Sequence, residues 1–181
     1  FEYPDISGMQ HVARIGEHVR KTPQESVSST GVFRHYQSDI RNKDALRRAT
    51  AGADVIVHCA AGLPLWKPAE IMSVNINGTK AVLEVAHELG IELVVHISST
   101  AVYGIPDHHP LFETDKLQGV GPYGQSKVIA EKICESFRNR LCVPILRPKS
   151  FIGAGRLGVF DVLFDWIRRG KNIPIIGWGN N

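Results

Sequence analysis

The chain has 181 residues and a formal net charge of +3, and its 43% hydrophobic and 22% charged content is that of an ordinary globular protein. Its 17 glycines and 10 prolines are too few for a low-complexity or disordered chain, and its length suits one domain better than two. The basic residues form no tract, which argues against a nucleic-acid partner, and no apolar run approaches the ~18 residues of a membrane span.

The first part of the chain has no clear structural pattern. Residues 1–31 are poorly assigned, and residues 22–30 are polar and loop-like. The first five residues lack the charged start and apolar centre of a signal peptide. Cys59, Cys134 and Cys142 form no CxxC pair, so they are interpreted as buried thiols in a reducing compartment. We therefore expect a cytoplasmic protein.

From residue 32 onward, short apolar runs alternate with helical stretches. Strands are predicted at 32–36, 54–60, 93–97 and 142–146, and helices at 42–51, 69–89, 122–140 and 158–169. The nearly continuous apolar run at 54–60 is typical of a strand that is covered on both faces. The alternation predicts an α/β fold, a doubly wound parallel sheet of the Rossmann-like kind, with residues 1–181 as one domain.

In an open parallel sheet, ligands lie outside the carboxyl ends of the strands. That rule selects the residues that follow the predicted strands, namely Asp39, Ala60, Ala61, Gly62, Ser98, Ser99, Arg147 and Pro148. The small residues at 60–62 would let the backbone lie close to an extended ligand. Tight packing of strand against loop is the alternative interpretation of this triplet.

Tyr123 and Lys127 are four residues apart in the predicted helix 122–140, so their side chains share one face. A lysine ammonium beside a phenol favours the phenolate, which can act as a general base near neutral pH. Such pairs are also common on solvated helix surfaces. Ser99 favours the catalytic interpretation, because a hydroxyl at a strand end could bind the same substrate oxygen.

Several motifs in one order carry a family resemblance. They are Ser99 with Tyr123-x-x-x-Lys127, His58-Cys59-Ala60-Ala61, Asn75-x-x-Gly78-Thr79, Ser98-Ser99 before Val102-Tyr103-Gly104, and Arg147-Pro148 before Gly153. Together they resemble the extended short-chain dehydrogenase/reductases, specifically the NAD-dependent epimerase/dehydratase family and its nucleotide-sugar epimerases. The resemblance runs over residues 39–181.

The resemblance implies a nicotinamide-dependent reaction at a carbinol carbon of a nucleotide sugar. The cofactor would be NAD or NADP, with a slight preference for NAD. Tyr123 would exchange the hydroxyl proton, Ser99 would polarise that oxygen, and Lys127 would favour the phenolate and hold the nicotinamide ribose. Relatives commonly pair through two helices of each subunit, here 69–89 and 122–140, so a homodimer is possible.

The resemblance also implies further contacts. Besides Tyr123 and Lys127, the implied cofactor contacts are Asp39, Ile40, Ala60, Ala61, Gly62, Asn75, Ser98, Arg147 and Pro148. The implied substrate contacts are Leu63, Thr100, Ala101, Lys149 and Ser150. Residues 149–181 would lead into a substrate-binding portion.

Two local features bear on the reaction. Dehydratases of the family carry Asp and Glu where this chain has Thr100 and Ala101, so dehydration is disfavoured against epimerisation or oxidoreduction. The apolar loop at 63–66 suggests an alternative, a reductase of an apolar alcohol or ketone like the hydroxysteroid and flavonoid reductases. Packing of this loop onto the domain is the other interpretation.

The chain departs from the family at its start. The expected Gly-x-x-Gly-x-x-Gly turn is missing, because Gly8 and Gly16 have the wrong spacing. Residues 153–158 spell G-x-G-x-x-G but lack the acidic residue about 20 positions later, so we reject them as the dinucleotide fingerprint. The domain therefore looks incomplete at both ends. A non-catalytic cofactor-binding protein of the same fold is a further alternative.

The histidines suggest no metal site. His108 and His109 have no third ligand at suitable spacing, and a solvated loop is the better interpretation. His58 and His96 lie within predicted buried strands, where we expect hydrogen-bonded core histidines.

Overall fold

The computed structural model describes residues 24–28, 31–149 and 159–172. The chain divides into two compact units: Gln10–Lys149 form one, and Phe1–Met9 with Ser150–Asn181 form the other. The first unit contains the parallel sheet and nearly all the predicted site residues. In the second unit, the described helix α5 spans Val159–Arg168.

A three-stranded parallel sheet forms the centre of the first unit. Its strands are β3 (Val55–His58), β4 (Leu93–Ile97) and β5 (Ile145–Leu146), in the order β3-β4-β5. This confirms the predicted Rossmann-like parallel sheet. Strand β5 is shorter than predicted, and an isolated bridge between Leu93 and Cys142 extends the pairing toward its start. Pro144 lacks an N–H group, which limits regular pairing between that bridge and β5.

Helices follow the strands as the alternation predicts. The first unit contains α1 (Lys43–Thr50), α2 (Pro68–Met72), α3 (Thr79–Glu88) and α4 (Gly121–Ser136). A π-helical segment, Ser73–Gly78, joins α2 to α3, so the predicted helix 69–89 is a series of three helical segments. A short 3-10 helix, Thr100–Tyr103, follows β4. Within the described residues, no helix is long and apolar enough to cross a membrane.

A β-hairpin stands apart from the parallel sheet. Strands β1 (Gln24–Ser28) and β2 (Gly31–His35) pair in antiparallel register, with Val27 opposite Val32. The loop predicted for residues 22–30 is therefore wrong over residues 24–28. The predicted strand at 32–36 is confirmed at nearly the same bounds, although its described partner is β1. Backbone pairing within a hairpin does not require an apolar face. The hydrophobic pattern of the sequence therefore did not predict the polar strand β1.

The core lies between α3, α4 and one face of the parallel sheet. Its buried members are Val82, Leu83, Ala86, Ile91, Val94, Cys134, Leu141 and Val143. Along β3, the alternate residues Val55 and Val57 are 46% and 59% exposed, whereas His58 is buried. The two faces of the sheet are therefore covered unequally along this strand.

The prediction of three buried thiols is only partly correct. Cys134 is buried in the core, but Cys59 and Cys142 are exposed. Both exposed cysteines lie where the chain enters or leaves the sheet, at the end of β3 and before β5.

Candidate active site

The carboxyl ends of the parallel strands bring the predicted segments to one edge. His58 pairs with His96, and Ile97 pairs with Leu146, so the segments after β3, β4 and β5 leave the sheet on the same side. The backbone pairing continues past the strands, since Ser98 N–H donates to the carbonyl of Leu146 at 2.7 Å. The strand-end rule thus selected three segments that are neighbours in space. Its fourth choice, Asp39, follows β2, which pairs with β1 in the hairpin and not with the described parallel sheet.

Helix α4 carries the predicted tyrosine and lysine to this edge. Tyr123 lies half-buried in its first turn, and Lys127, one turn later, is only 3% exposed. The Lys127 ammonium donates to the carbonyl of Ile97 at 3.0 Å and lies 6.0 Å from the centre of the Tyr123 ring. Burial lowers the pKa of Lys127. The lysine is therefore anchored two residues before Ser99, with one of its three donors in use.

Close backbone approach sets the distance between α4 and the segment that follows Ser99. A Cβ at Gly124 would lie 2.9 Å from the carbonyl oxygen of Ala101, so only glycine fits there without displacement. Ser99 caps the 3-10 helix, and its hydroxyl accepts from the Ala101 N–H at 3.2 Å. The turn that holds Tyr123 therefore packs against the segment that Ser99 begins.

Asn75 joins the loop after β3 to α4. Its side-chain oxygen accepts from Gly62 N–H at 2.7 Å, and its amide nitrogen donates to the Ser126 hydroxyl at 2.8 Å. That hydroxyl donates to the carbonyl of Tyr123 at 2.7 Å. Asn75 is 2% exposed, so its side chain supports the backbone of the loop at Gly62 from the interior. The motif pointed to Asn75, whereas nothing in the sequence singled out Ser126.

Glu131 is a residue of this site that the sequence analysis missed. It is fully buried on α4, where its carboxylate accepts from the Ser98 hydroxyl and pairs with the Arg147 guanidinium at 2.8 Å. Arg147 also donates to the Tyr103 hydroxyl at 2.9 Å. Ser98 and Arg147 thus direct these side-chain bonds toward protein groups, and their cofactor contacts stay predictions. The available signal was an acid four residues after Lys127 on the buried helix face.

The two strand histidines differ in their bonding. His58 Nε2 lies 3.0 Å from the Thr79 hydroxyl, which confirms the expected core histidine. His96 is 1% exposed, yet neither ring nitrogen has a hydrogen-bond partner among the described residues, so the same prediction is wrong there. Burial lowers the pKa of His58 to about 3 and that of His96 to about 4. Both rings are therefore neutral at pH 7.

Asp39 and Ile40 lie in the segment between β2 and α1. Hydrogen bonds from Arg41 hold the pKa of the Asp39 carboxyl below its usual range, and the Arg41 N–H donates to it at 2.9 Å. Ile40 packs on the π-helical segment, because a Cβ at Gly78 would lie 2.7 Å from its side chain. The adenine contacts of Asp39 and Ile40 stay predictions.

The loop after β3 exposes apolar groups. Leu63 is 52% and Leu65 97% exposed, while Trp66 is half-buried and approaches Gly62. The interpretation that this loop packs onto the domain therefore holds for Trp66 but not for Leu65. Of the other predicted substrate contacts, Thr100 and Ala101 are half-buried and Lys149 is exposed. Ser150 and residues 153–158 lie outside the described residues.

The residues at this edge suit a nicotinamide dinucleotide. Ala60 is exposed and Ala61 half-buried beside the strand end, which leaves a small-residue surface for an extended ligand. Two donors of Lys127 remain for ligand hydroxyls beyond the bond to Ile97. No group of side chains suited to a metal ion occurs in the part of the chain that the structure describes.

Comparison with known protein families identifies the group to which these features belong. The model of the NAD dependent epimerase/dehydratase family matches residues 9–181. The chain belongs to this family. Membership in the NAD dependent epimerase/dehydratase family confirms the resemblance that the motifs of the strand ends and of α4 carry.

Curated relatives are longer than this member of the epimerase/dehydratase family. An uncharacterised protein, y4nG, of Sinorhizobium fredii is 39% identical over 145 residues, which are 78% of this chain and 37% of that protein. The UDP-glucose 4-epimerase of Streptococcus mutans is 33% identical over 105 residues, 54% of this chain and 32% of the relative. The chain thus spans about a third of the length of these relatives.

Solved structures of the family share the fold. A dTDP-glucose 4,6-dehydratase, DesIV, of Streptomyces venezuelae, determined with NAD bound, has a TM-score of 0.70 and 27% identity over 80% of this chain and 48% of its own. The UDP-glucose 4-epimerase of Brucella ovis, in complex with NAD, has a TM-score of 0.62 and 26% identity over 65% of this chain and 39% of its own.

Proposed function

We propose that the chain is the catalytic part of an NAD(P)-dependent enzyme that epimerises or oxidises a nucleotide sugar at a carbinol carbon. The observation that carries the proposal is the position of the Lys127 ammonium, which lies 6.0 Å from the centre of the Tyr123 ring and donates to the carbonyl of Ile97, two residues before Ser99. The relatives named as UDP-glucose 4-epimerases, and the solved relatives with NAD, support the substrate class and the cofactor.

The three side chains have complementary roles in this proposal. Tyr123 removes the proton of the substrate hydroxyl as the carbon loses hydride, and it returns the proton when hydride comes back. Ser99 donates a hydrogen bond to the same oxygen. A bound nicotinamide supplies the hydride acceptor. Return of hydride to the opposite face of the carbonyl would invert the centre.

Lys127 supports this chemistry through its charge. Its ammonium is buried, where Coulomb interactions are stronger than in water, and the Ile97 carbonyl holds it below the tyrosine ring. Its remaining donors are available for the hydroxyls of a nicotinamide ribose.

A pair of tyrosine variants tests the proposal. We expect Tyr123→Phe to lower the turnover of a UDP-sugar in the presence of NAD+ by about 10²–10⁴-fold, because the proton carrier is lost. Fluorescence titration with NADH should still saturate in this variant. Tyr36→Phe is the control, since Tyr36 is exposed and lies away from α4 in the sequence. Full turnover by Tyr123→Phe, or no NADH binding by the unaltered chain, would refute the proposal.

The exposed apolar loop favours a second candidate function. Leu63 and Leu65 would suit a reductase of an apolar alcohol or ketone. Such an enzyme causes net oxidation or reduction of added NAD(P), whereas an epimerase regenerates its cofactor in each cycle. Nicotinamide absorbance during turnover therefore distinguishes the two. Cofactor binding without turnover of either substrate class would instead indicate a non-catalytic binding protein.

A further inference from the structure

Glu131 places a carboxylate in the interior of the candidate site. The residue is fully buried, and Arg147 binds it in a forked arrangement, with Nε 3.0 Å from one carboxylate oxygen and Nη2 2.8 Å from the other. The Ser98 hydroxyl donates to the same carboxylate. A buried charge is costly unless it is paired and hydrogen-bonded, and these partners meet that requirement.

These bonds connect the elements that form the site. Ser98 lies at the end of β4 and immediately precedes Ser99, while Arg147 follows β5. Arg147 extends the connection to the Tyr103 hydroxyl at 2.9 Å and to the carbonyl of Glu113 at 2.9 Å. One carboxylate on α4 therefore ties that helix to two strand ends, and through Arg147 to the 3-10 helix.

Glu131 also acts on Lys127 through space. The two residues are four positions apart on α4, are both buried, and so lie on the same face of the helix. The carboxylate opposes the effect of burial on the ammonium. Burial also raises the pKa of the nearby Cys134 thiol to about 12, so that thiol is neutral over the range in which Lys127 titrates.

The groups around Lys127 come from three elements. Those that contribute charge or a titratable side chain are Tyr123, Glu131 and Cys134 on α4, His58 and Cys59 at the end of β3, and His96 on β4. Both histidines are neutral at pH 7 because burial lowers their pKa values to about 3 and about 4. Glu131 is thus the buried carboxylate that balances the lysine.

We infer that Glu131 is a positioning residue of this site, which holds α4 against the ends of β4 and β5 and maintains Lys127 in its charged form. The inference rests on the proposed function for its consequence in catalysis. The electrostatic part stands separately, because it concerns the charge of Lys127 with or without a bound ligand.

The test is a pH titration of Lys127 by NMR in protein that carries ¹³C at the lysine ε positions, with the Lys127→Arg variant to assign the resonance. In Glu131→Gln we expect the pKa of Lys127 to fall by about one unit relative to the unaltered chain, because an opposing charge is removed. Glu135→Gln is the matched control, an exposed glutamate one turn later on the same helix, and it should cause no shift.

A double variant covers the case in which Glu131→Gln leaves Arg147 unpaired and prevents folding. Glu131→Gln with Arg147→Gln replaces the ion pair by two neutral groups that can still hydrogen-bond. The pKa of Lys127 should again fall, but by less than in Glu131→Gln alone, because the positive charge of Arg147 is removed together with the carboxylate. If Glu131 only held α4 in place, its replacement would loosen the helix and expose Lys127. The pKa of Lys127 would then rise toward the ordinary lysine value, because burial is what lowers it.

The direction in which the pKa of Lys127 shifts therefore decides whether the charge of Glu131 acts on Lys127. A fall in either variant that folds supports the inference, and an unchanged or higher Lys127 pKa overturns it. Turnover is measured separately on the same proteins: we expect a lower kcat with little change in KM for NAD+. If the unaltered chain neither binds NADH nor turns over a UDP-sugar, the proposed function fails, while the Lys127 titration still tests the charge relation.

Discussion

At the scale of single residues, the interior of the candidate site is unusually polar. Asn75, His96, Lys127 and Glu131 are all less than 5% exposed, a burial that is rare for such side chains unless they are paired. Three of them have hydrogen-bond or ion-pair partners on other segments, and the ring nitrogens of His96 have no hydrogen-bond partner among the described residues. Buried polar groups of this kind are sensitive to single substitutions.

Asn75 gives a first prediction. Asn75→Ala should lower the free energy of unfolding by about 1–3 kcal/mol, because Gly62 N–H and the Ser126 hydroxyl lose a buried partner. Chemical denaturation measures the change. Asn77→Ala is the control, since Asn77 lies on the same π-helical segment but is exposed. Equal effects of the two substitutions would contradict the bridging role.

His96 gives a prediction for pH dependence. Its pKa is lowered from 6.5 to about 4 in the folded chain, chiefly by burial. Between those values the unfolded chain binds the proton and the folded chain does not, so the free energy of unfolding falls as the pH falls. The full effect of this one group is about 3 kcal/mol.

Replacing His96 by Phe removes the titration. His96→Phe should reduce the loss of unfolding free energy between pH 6.5 and 4. It should cost little at pH 7, because neither ring nitrogen of His96 has a hydrogen-bond partner among the described residues. The measurement is denaturation at a series of pH values. His87→Gln, an exposed histidine on α3, serves as the control. An unaltered slope in His96→Phe would refute the assignment.

At the scale of elements, α4 organises the site. It carries Tyr123 in its first turn and Lys127 and Glu131 in the next two, while Gly124 lets it approach the Ala101 carbonyl. The strand ends supply the opposing groups. The position of this one helix therefore determines whether the predicted catalytic residues meet.

Gly124 tests the importance of that approach. Gly124→Ala would place a Cβ 2.9 Å from a backbone oxygen, which cannot move as easily as a side chain. We expect a loss of about 1–3 kcal/mol in unfolding free energy, although alanine favours helices, together with a lower turnover. Gln125→Ala, exposed at the next position of the helix, is the control. A more stable Gly124→Ala protein would show that α4 can shift without cost.

At the scale of the whole molecule, strand β3 exposes apolar side chains. Among the described residues it pairs only with β4, and Val55 and Val57 are 46% and 59% exposed. Exposed apolar side chains that lie close together favour association with another chain. The chain also spans about a third of the length of the two curated relatives described above.

These side chains lead to a prediction about association. Val57→Lys should lower the apparent mass at high protein concentration in sedimentation experiments, because a charge in place of an exposed apolar side chain opposes apolar association. Its unfolding free energy should change little, since Val57 is mostly exposed. Ile105→Lys, which is 78% exposed in a different segment, is the control. The same association in Val57→Lys and the unaltered chain would contradict the prediction.

Local pattern predicted much of the fold. The apolar runs of β3 and β4 and the periodicity of α4 appear in the structure near their predicted bounds, because strands and helices that pack on a core require such patterns. The same run also predicted that β3 is covered on both faces, and this is wrong for Val55 and Val57. The polar strand β1 was missed, since its formation depends on pairing with β2. The parallel orientation of the strands followed from the βαβ alternation.

The sequence by itself determined the family, through motifs that keep their spacing, and it named Ser99, Tyr123 and Lys127. Only the tertiary structure decided which polar groups bind one another. Asn75 meets Ser126 across 51 positions, and Ser98 meets Glu131 across 33. The reason is physical: residue spacing predicts which side chains share one helix or strand face, whereas contacts between elements depend on how those faces pack.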